Sequence, residues 1–204
     1  MKAGVIAAEL KMHAPFTAFG TVTGIVIMAI FVQFSISREI SSVFFWTLHP
    51  LHVLLSALVT TAMYRLHSGR GILRTILIGY FGSVGIATLS DSLMPFAGEW
   101  LLDMTHRGVH LGFIEKWWLV NPLAFAGIAI GYLWPRTKVS HAGHVFLSTW
   151  ASLFHILMAM GSPPDVATSV LIAFFLFLAV WVPCCTSDIV FPLLWIHKKE
   201  GETV

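Results

Sequence analysis

Charge is what this chain most lacks. Lysine and arginine number 12 and aspartate and glutamate 10 among 204 residues, or 11% charged, where a soluble domain carries about a quarter. With 57% hydrophobic residues and a mean hydropathy of +0.82, an ordinary water-soluble domain is excluded. The basic residues are scattered over short loops and form no dense patch, which excludes a nucleic-acid footprint. Cysteine is nearly absent: Cys184 and Cys185 are the only two and are adjacent. Neighbouring cysteines rarely pair, and a membrane interior is no disulfide scaffold. They read first as two small buried residues and second as soft metal ligands. The chain has no phosphate-cradling P-loop, no dinucleotide fingerprint, no zinc-protease H-E-x-x-H and no G-x-S-x-G elbow.

Long apolar runs are plentiful. Six stretches, near 15–36, 44–64, 72–94, 119–135, 143–161 and 167–190, approach the roughly 20 residues needed to cross a bilayer. The first is too long, and lacks the small-residue site, for a cleaved signal peptide. The sequence therefore predicts an all-α integral membrane protein with six transmembrane helices. With both termini cytoplasmic, the inside carries Lys2, Lys11, Arg65, Arg70, Arg74, Arg136, Lys138, Lys198 and Lys199, and the outside only Arg38, Arg107 and Lys116. That bias obeys the positive-inside rule and suits a multi-pass protein of the cell (inner) membrane.

Polar residues recur inside these runs. His49, His52 and Ser56 return in the same spacing as His141, His144 and Ser148. Ser90, Asp91 and Pro95 return as Ser187, Asp188 and Pro192, and Pro15, Gly20 and Gly24 as Pro122, Gly127 and Gly131. Three elements in one order imply a duplication: residues 1–96, an outer loop over 97–118, and residues 119–204. Each unit holds an odd number of spans, so the second enters the membrane in the opposite sense, giving two inverted-topology three-helix repeats. Many secondary transporters are built this way, with sites at the repeat interface, although architecture alone does not establish function.

The chemistry follows from the spacing. His49, His52, Ser56 and Thr60 share one helical face, as do His141, His144, Ser148, Ser152 and His155. A polar stripe on an apolar helix faces the bundle interior. Two imidazoles one turn apart, completed by Asp91 or Asp188, suit a divalent transition metal such as Zn, Fe or Mn. The two sets form either two related sites or one shared, dinuclear site. Ser56, Thr60, Ser90, Ser148, Ser152, His155 and Ser187 are the expected supporting or pathway groups. Proline at 95 and 192 either interrupts a helix, freeing carbonyls, or marks the end of a span. In the outer loop, Glu99, Asp103, His106 and His110 would share a face if 97–112 were helical, with Glu115 close by. Asp103, His106 and His110 then have ligand spacing, whereas Gly108 and Gly112 weaken the helix. The plainer alternative is an interfacial segment anchored by Trp100, Trp117 and Trp118.

These patterns point first to a divalent metal-ion transporter in which protons compete with metal for neutral histidines. A membrane-embedded metalloenzyme, mono- or dinuclear, is the alternative. A haem-binding electron carrier, with axial histidines from facing helices, is the third and leaves the aspartates without a role. The expected partners are the lipid bilayer and the metal ion, with a homodimer open and nucleic acid excluded.

Overall fold

The computed structural model describes residues 2–67, 71–135, 138–185 and 190–195. Among them every regular element is helical: α1 (Lys2–Gln33), α2 (Arg38–Leu66), α3 (Ile72–Leu101), α4 (Gly112–Glu115), α5 (Trp117–Leu133), α6 (Lys138–Ala159), α7 (Val166–Cys185) and α8 (Phe191–Leu194). Four helices are long and apolar enough to cross a membrane: Ala14–Gln33 within α1, Arg38–Leu66, Ile72–Leu101 and Val166–Cys184. Two shorter apolar helices, Trp117–Leu133 and Gly143–Ala159, complete the bundle. This is a membrane protein, and its polarity is reversed accordingly. Phe19, Val22, Val26 and Ile30 on α1 are all about half exposed or more, while histidine, serine, threonine, Asp91 and Glu99 fill the interior. Such an arrangement suits hydrocarbon as solvent, where polar side chains must find partners inside the bundle.

α2 and α6 form the axis of the molecule. Phe44 near the start of α2 stacks on Phe154 near the end of α6, and His52 further along α2 stacks on His144 near the start of α6. The two helices are therefore antiparallel. α1 lies along α6, where Gly20 meets Thr149 and Gly24 meets Leu153. α5 lies along α2 more tightly. A Cβ on Gly127 or Gly131 would overlap the carbonyl oxygens of Leu54 and Leu58. Small residues admit this close approach of helices within a membrane.

α3 continues without a break from Ile72 to Leu101 but widens into two π turns, Phe81–Gly85 and Leu89–Leu93. Pro95 thus does not end the span; the helix runs on to Leu101. A proline inside a helix removes a donor and crowds the carbonyl four residues back, which here belongs to Asp91. The π turn over Leu89–Leu93 accommodates that crowding. Single π turns within α-helices often occur at functional sites, and this one carries Ser90, Asp91 and Ser92, all fully buried.

The expected helix over 97–112 does not form. α3 stops at Leu101, Asp103 takes a positive φ of 50°, and the chain runs without helix to Gly112. The loop is fixed by other means: Met104 N–H donates to Glu99 O at 2.9 Å and His106 N–H to Ala159 O at 3.0 Å. Trp100, Trp117 and Trp118 are 63%, 63% and 58% exposed, consistent with the interfacial position expected of tryptophan.

Candidate metal centre

Asp91 organises the site. Its Oδ2 lies 2.9 Å from Nδ1 of His49 and 2.7 Å from Nδ1 of His52. Its Oδ1 accepts hydrogen bonds from the hydroxyls of Ser90 at 2.7 Å and Ser148 at 2.8 Å. A carboxylate has about four lone-pair directions, and all four are taken. In this geometry Asp91 holds the two imidazoles in place. Because an ionised carboxylate only accepts, both imidazoles donate through Nδ1, and a neutral imidazole so held presents its Nε2 as the acceptor. Metal-binding histidines are commonly oriented in this way by a carboxylate on their other nitrogen.

The Nε2 atom of His52 faces the thiol of Cys184 at 3.9 Å. His144, from α6, stacks on His52 with ring centroids 5.8 Å apart and planes at 14°. One ligand atom from each of His52, His144 and Cys184 lies within 4.8 Å of the other two, and all three residues are buried. Bond lengths of about 2.0–2.3 Å put ligand atoms around zinc roughly 3.5 Å apart, so a small contraction would seat an ion. The three residues come from α2, α6 and α7. Ser148 joins the trio to the carboxylate, since its hydroxyl donates to Asp91 and lies 3.5 Å from Cys184 Sγ. Ser152 donates to the Ser90 carbonyl at 3.0 Å, tying α6 to the π turn. Ser56 and Thr60 are buried on the same face of α2.

A second polar cluster lies toward the loop over 102–111. Glu99 Oε1 is 2.5 Å from Nδ1 of His155, and both residues are buried. Glu99 Oε2 accepts the Gly108 N–H at 3.4 Å. The Ser92 hydroxyl accepts the His110 N–H at 2.9 Å and lies 3.4 Å from His155 Nε2. His110 Nδ1 lies 3.2 Å from Glu115 Oε2, and Glu115 Oε1 accepts the Leu111 N–H at 2.7 Å. Asp103 and His106 do not join this cluster. The Asp103 carboxylate is 92% exposed and pairs with Arg107 at 3.1 Å, and His106 is exposed. Their expected shared face depended on a helix that ends at Leu101.

The structure therefore brings together His49, His52 and Asp91 as the spacing predicts, and joins them to His144, Ser148 and Ser152 of the other half. The side chain of His141 and the whole of Ser187 and Asp188 lie outside the described residues. Cys184 is the residue whose place in the cluster the sequence obscured, because the neighbouring Cys185 and the lack of a repeat partner favoured the plainer reading. Phe45 and Ser92 were not singled out either. Phe45 stands four residues before His49, on the face the histidines share, and Ser92 directly follows Asp91, so both were within reach of the same pattern. The chain matches no known protein family, no curated protein and no solved structure.

Proposed function

We propose that the protein is a transporter for a divalent transition metal ion, with His52, His144 and Cys184 as its central binding site. The observation that carries this reading is the convergence of two imidazoles and a thiol in the buried middle of the bundle, with one imidazole fixed by Asp91. Imidazole and thiolate together favour borderline and soft ions such as zinc, over magnesium or calcium. Manganese, among the ions the sequence pattern allowed, suits a thiolate site less well. A bilayer interior tolerates such groups mainly on a substrate path. The buried polar groups extend from Cys184 through His52, Asp91 and His49 toward Glu99, His155 and the partly exposed His110, as a route from the outer face would.

The transport reading also rests on an inverted repeat of six spans. Its support lies in the glycine contacts. Gly127 and Gly131 of the second unit meet Ala57 and Thr61 of the first; Gly20 and Gly24 of the first meet Thr149 and Leu153 of the second. Ala57 and Thr149 stand 92 positions apart, as do Thr61 and Leu153, the same offset as His52 and His144. Each unit thus lays its first helix on the other's second helix at equivalent residues, as a pseudo-twofold axis in the membrane plane requires. Rocking one unit against the other would then expose the shared site to alternate sides.

The test is metal content followed by flux. Protein purified in mild detergent without chelators should hold zinc or a similar ion, lost in His52→Ala and in Cys184→Ala, and liposomes containing the wild type should take up that ion. A bound ion without flux would favour the second reading, a membrane metalloenzyme. What speaks for that reading is a set of three protein ligands, which leaves the fourth position of a tetrahedral ion open for water or substrate. Protein that binds no transition metal after soaking would sink both.

A further inference from the structure

We propose that a groove between the first turns of α3 and the last turns of α5 holds one acyl chain of an anionic phospholipid, with the lipid phosphate on Arg65. None of the residues involved belongs to the metal centre, so the lipid site stands or falls independently of transport.

The groove encloses about 290 Å³ and is lined by Ile72, Thr75 and Ile76 of α3 and by Phe125, Ile128 and Tyr132 of α5. It is a wedge. Further along α3 the two helices pack tightly, and a Cβ on Gly79 would lie 2.8 Å from Ile128 Cγ1. Toward Ile72 they part. Thr75 spends its hydroxyl on the Gly71 carbonyl at 3.0 Å, so the walls offer mainly hydrocarbon and aromatic surface. Ile72 and Phe125 are 65% and 50% exposed, so the wedge opens toward the lipid. Phe125 stands seven residues before Tyr132, about 10 Å along the helix. The hydrocarbon of one leaflet is about 15 Å deep. The groove therefore matches the part of a single acyl chain nearest its headgroup.

Arg65 sets the polar end. Its guanidinium carbon lies 4.3 Å from the centroid of the Tyr132 ring, where α2 and α5 finish side by side. Its Nε is buried and has no hydrogen-bond partner among the described residues. A buried charged donor without a partner is costly, and the planar guanidinium fork fits a phosphate. Arg74 is exposed in the first turn of α3, next to Thr75. No aspartate or glutamate occurs between Glu39 and Asp91, or between Glu115 and Asp165. At this end of the bundle α2, α3 and α5 thus offer the two arginines no carboxylate. Trp134, 66% exposed just past the end of α5, marks the headgroup level, where tryptophan concentrates. A phosphate at that level and a chain running toward Phe125 have the orientation of a phospholipid in this leaflet. Two cations without a counter-charge select an anionic headgroup over a zwitterionic one, as basic pockets between membrane helices do.

Lipid binding in native mass spectrometry tests the site. Delipidated full-length protein in mild detergent would be given dioleoyl phosphatidylglycerol or dioleoyl phosphatidylcholine at equal concentration. The wild type is expected to hold the first equivalent of the phosphatidylglycerol several-fold more tightly. Glycerol 3-phosphate, which has the phosphate without the chain, should not displace it. Arg65→Gln is expected to bring the two lipids level, and Arg65→Lys, which keeps the charge but not the fork, to fall between. Ala129→Phe puts a ring into the groove from an exposed lining position. It should leave the bundle folded and lose the tight equivalent. Equal binding of the two lipids by the wild type, or a preference that survives Arg65→Gln, would overturn the phosphate site. A tight equivalent unchanged in Ala129→Phe would overturn the groove. Displacement by glycerol 3-phosphate would reveal a site for free phosphate and overturn the lipid.

Discussion

Asp91 spends its whole hydrogen-bonding capacity on four partners, two imidazoles and two hydroxyls. Both Nδ1–H groups fall on the one oxygen Oδ2, so the neutral amide oxygen of Asp91→Asn can still accept them, only more weakly, whereas Asp91→Ala removes the acceptor altogether. Loss of such an orienting partner typically costs 10–100-fold in metal affinity, and that range is expected in a competition titration against a chromophoric chelator. At Gly112 the expected effect is on the loop. His49 is gripped by Asp91 and stacked on Phe45, so in Gly112→Ala the chain must move, and faster proteolytic nicking between Met104 and Glu115 should report it. The sequence made His49, His52 and Asp91 legible, because a buried charge and two imidazoles in helical register have few other reasons to occur in a membrane. Cys184 was not legible. In the proposed repeat its counterpart is Ala87, which packs in an apolar cluster with Val53, Val84 and Val120. Periodicity assigns a residue to a face of its own helix, but not to a neighbour on another.

The helices differ in how much they tolerate. A Cβ on Gly127 would collide with backbone, the Leu54 carbonyl, while one on Gly24 would meet side-chain atoms no closer than 3.8 Å. Gly127→Ala should therefore destabilise by about 1–3 kcal/mol, the usual cost of overpacking, and Gly24→Ala by little; thermal unfolding in detergent compares them. α7 begins at an exposed cap where Asp165 Oδ1 accepts the Thr168 N–H at 2.7 Å. That hydrogen bond holds the Asp165 carboxyl below its ordinary range. A depressed value means the cap contributes above the ordinary carboxylate range and is lost as the pH falls through the lowered one. The first turn of α7 should exchange its amides faster in acid, after correction for intrinsic rates, in wild type but not in Asp165→Asn. Helix positions were readable from apolar runs, since hydrocarbon solvent enforces them. The end of α3 was not, because Pro95 is absorbed by a π turn and the run of Glu99, Asp103, His106 and His110 mimics a helical face across a loop. The second Ser-Asp element, at Ser187 and Asp188, falls outside the described residues.

At the scale of the whole molecule, apolar surface faces outward and the hydrogen-bonded groups run along the axis between α2 and α6. The proposed inverted repeat of six spans would put both termini on the side that holds most lysine and arginine. Single cysteines introduced at Lys2 and at Lys198 in a Cys184→Ser, Cys185→Ser background should both resist a membrane-impermeant thiol reagent applied to intact cells, and one at Arg107 should react. Labelling of the termini from outside would break the topology. The central residues His52, His144 and Cys184 each belong to a different helix. An ion bound among them is therefore also a staple, a crosslink made of cargo. Ligand that binds only the folded state stabilises it by about 4 kcal/mol at a thousand times its dissociation constant, so the melting temperature should climb with added zinc in wild type and stay flat in Cys184→Ser. If the protein is a carrier as proposed, one stapled by what it carries must loosen its own bundle to let go, and the unladen protein should be its least rigid form.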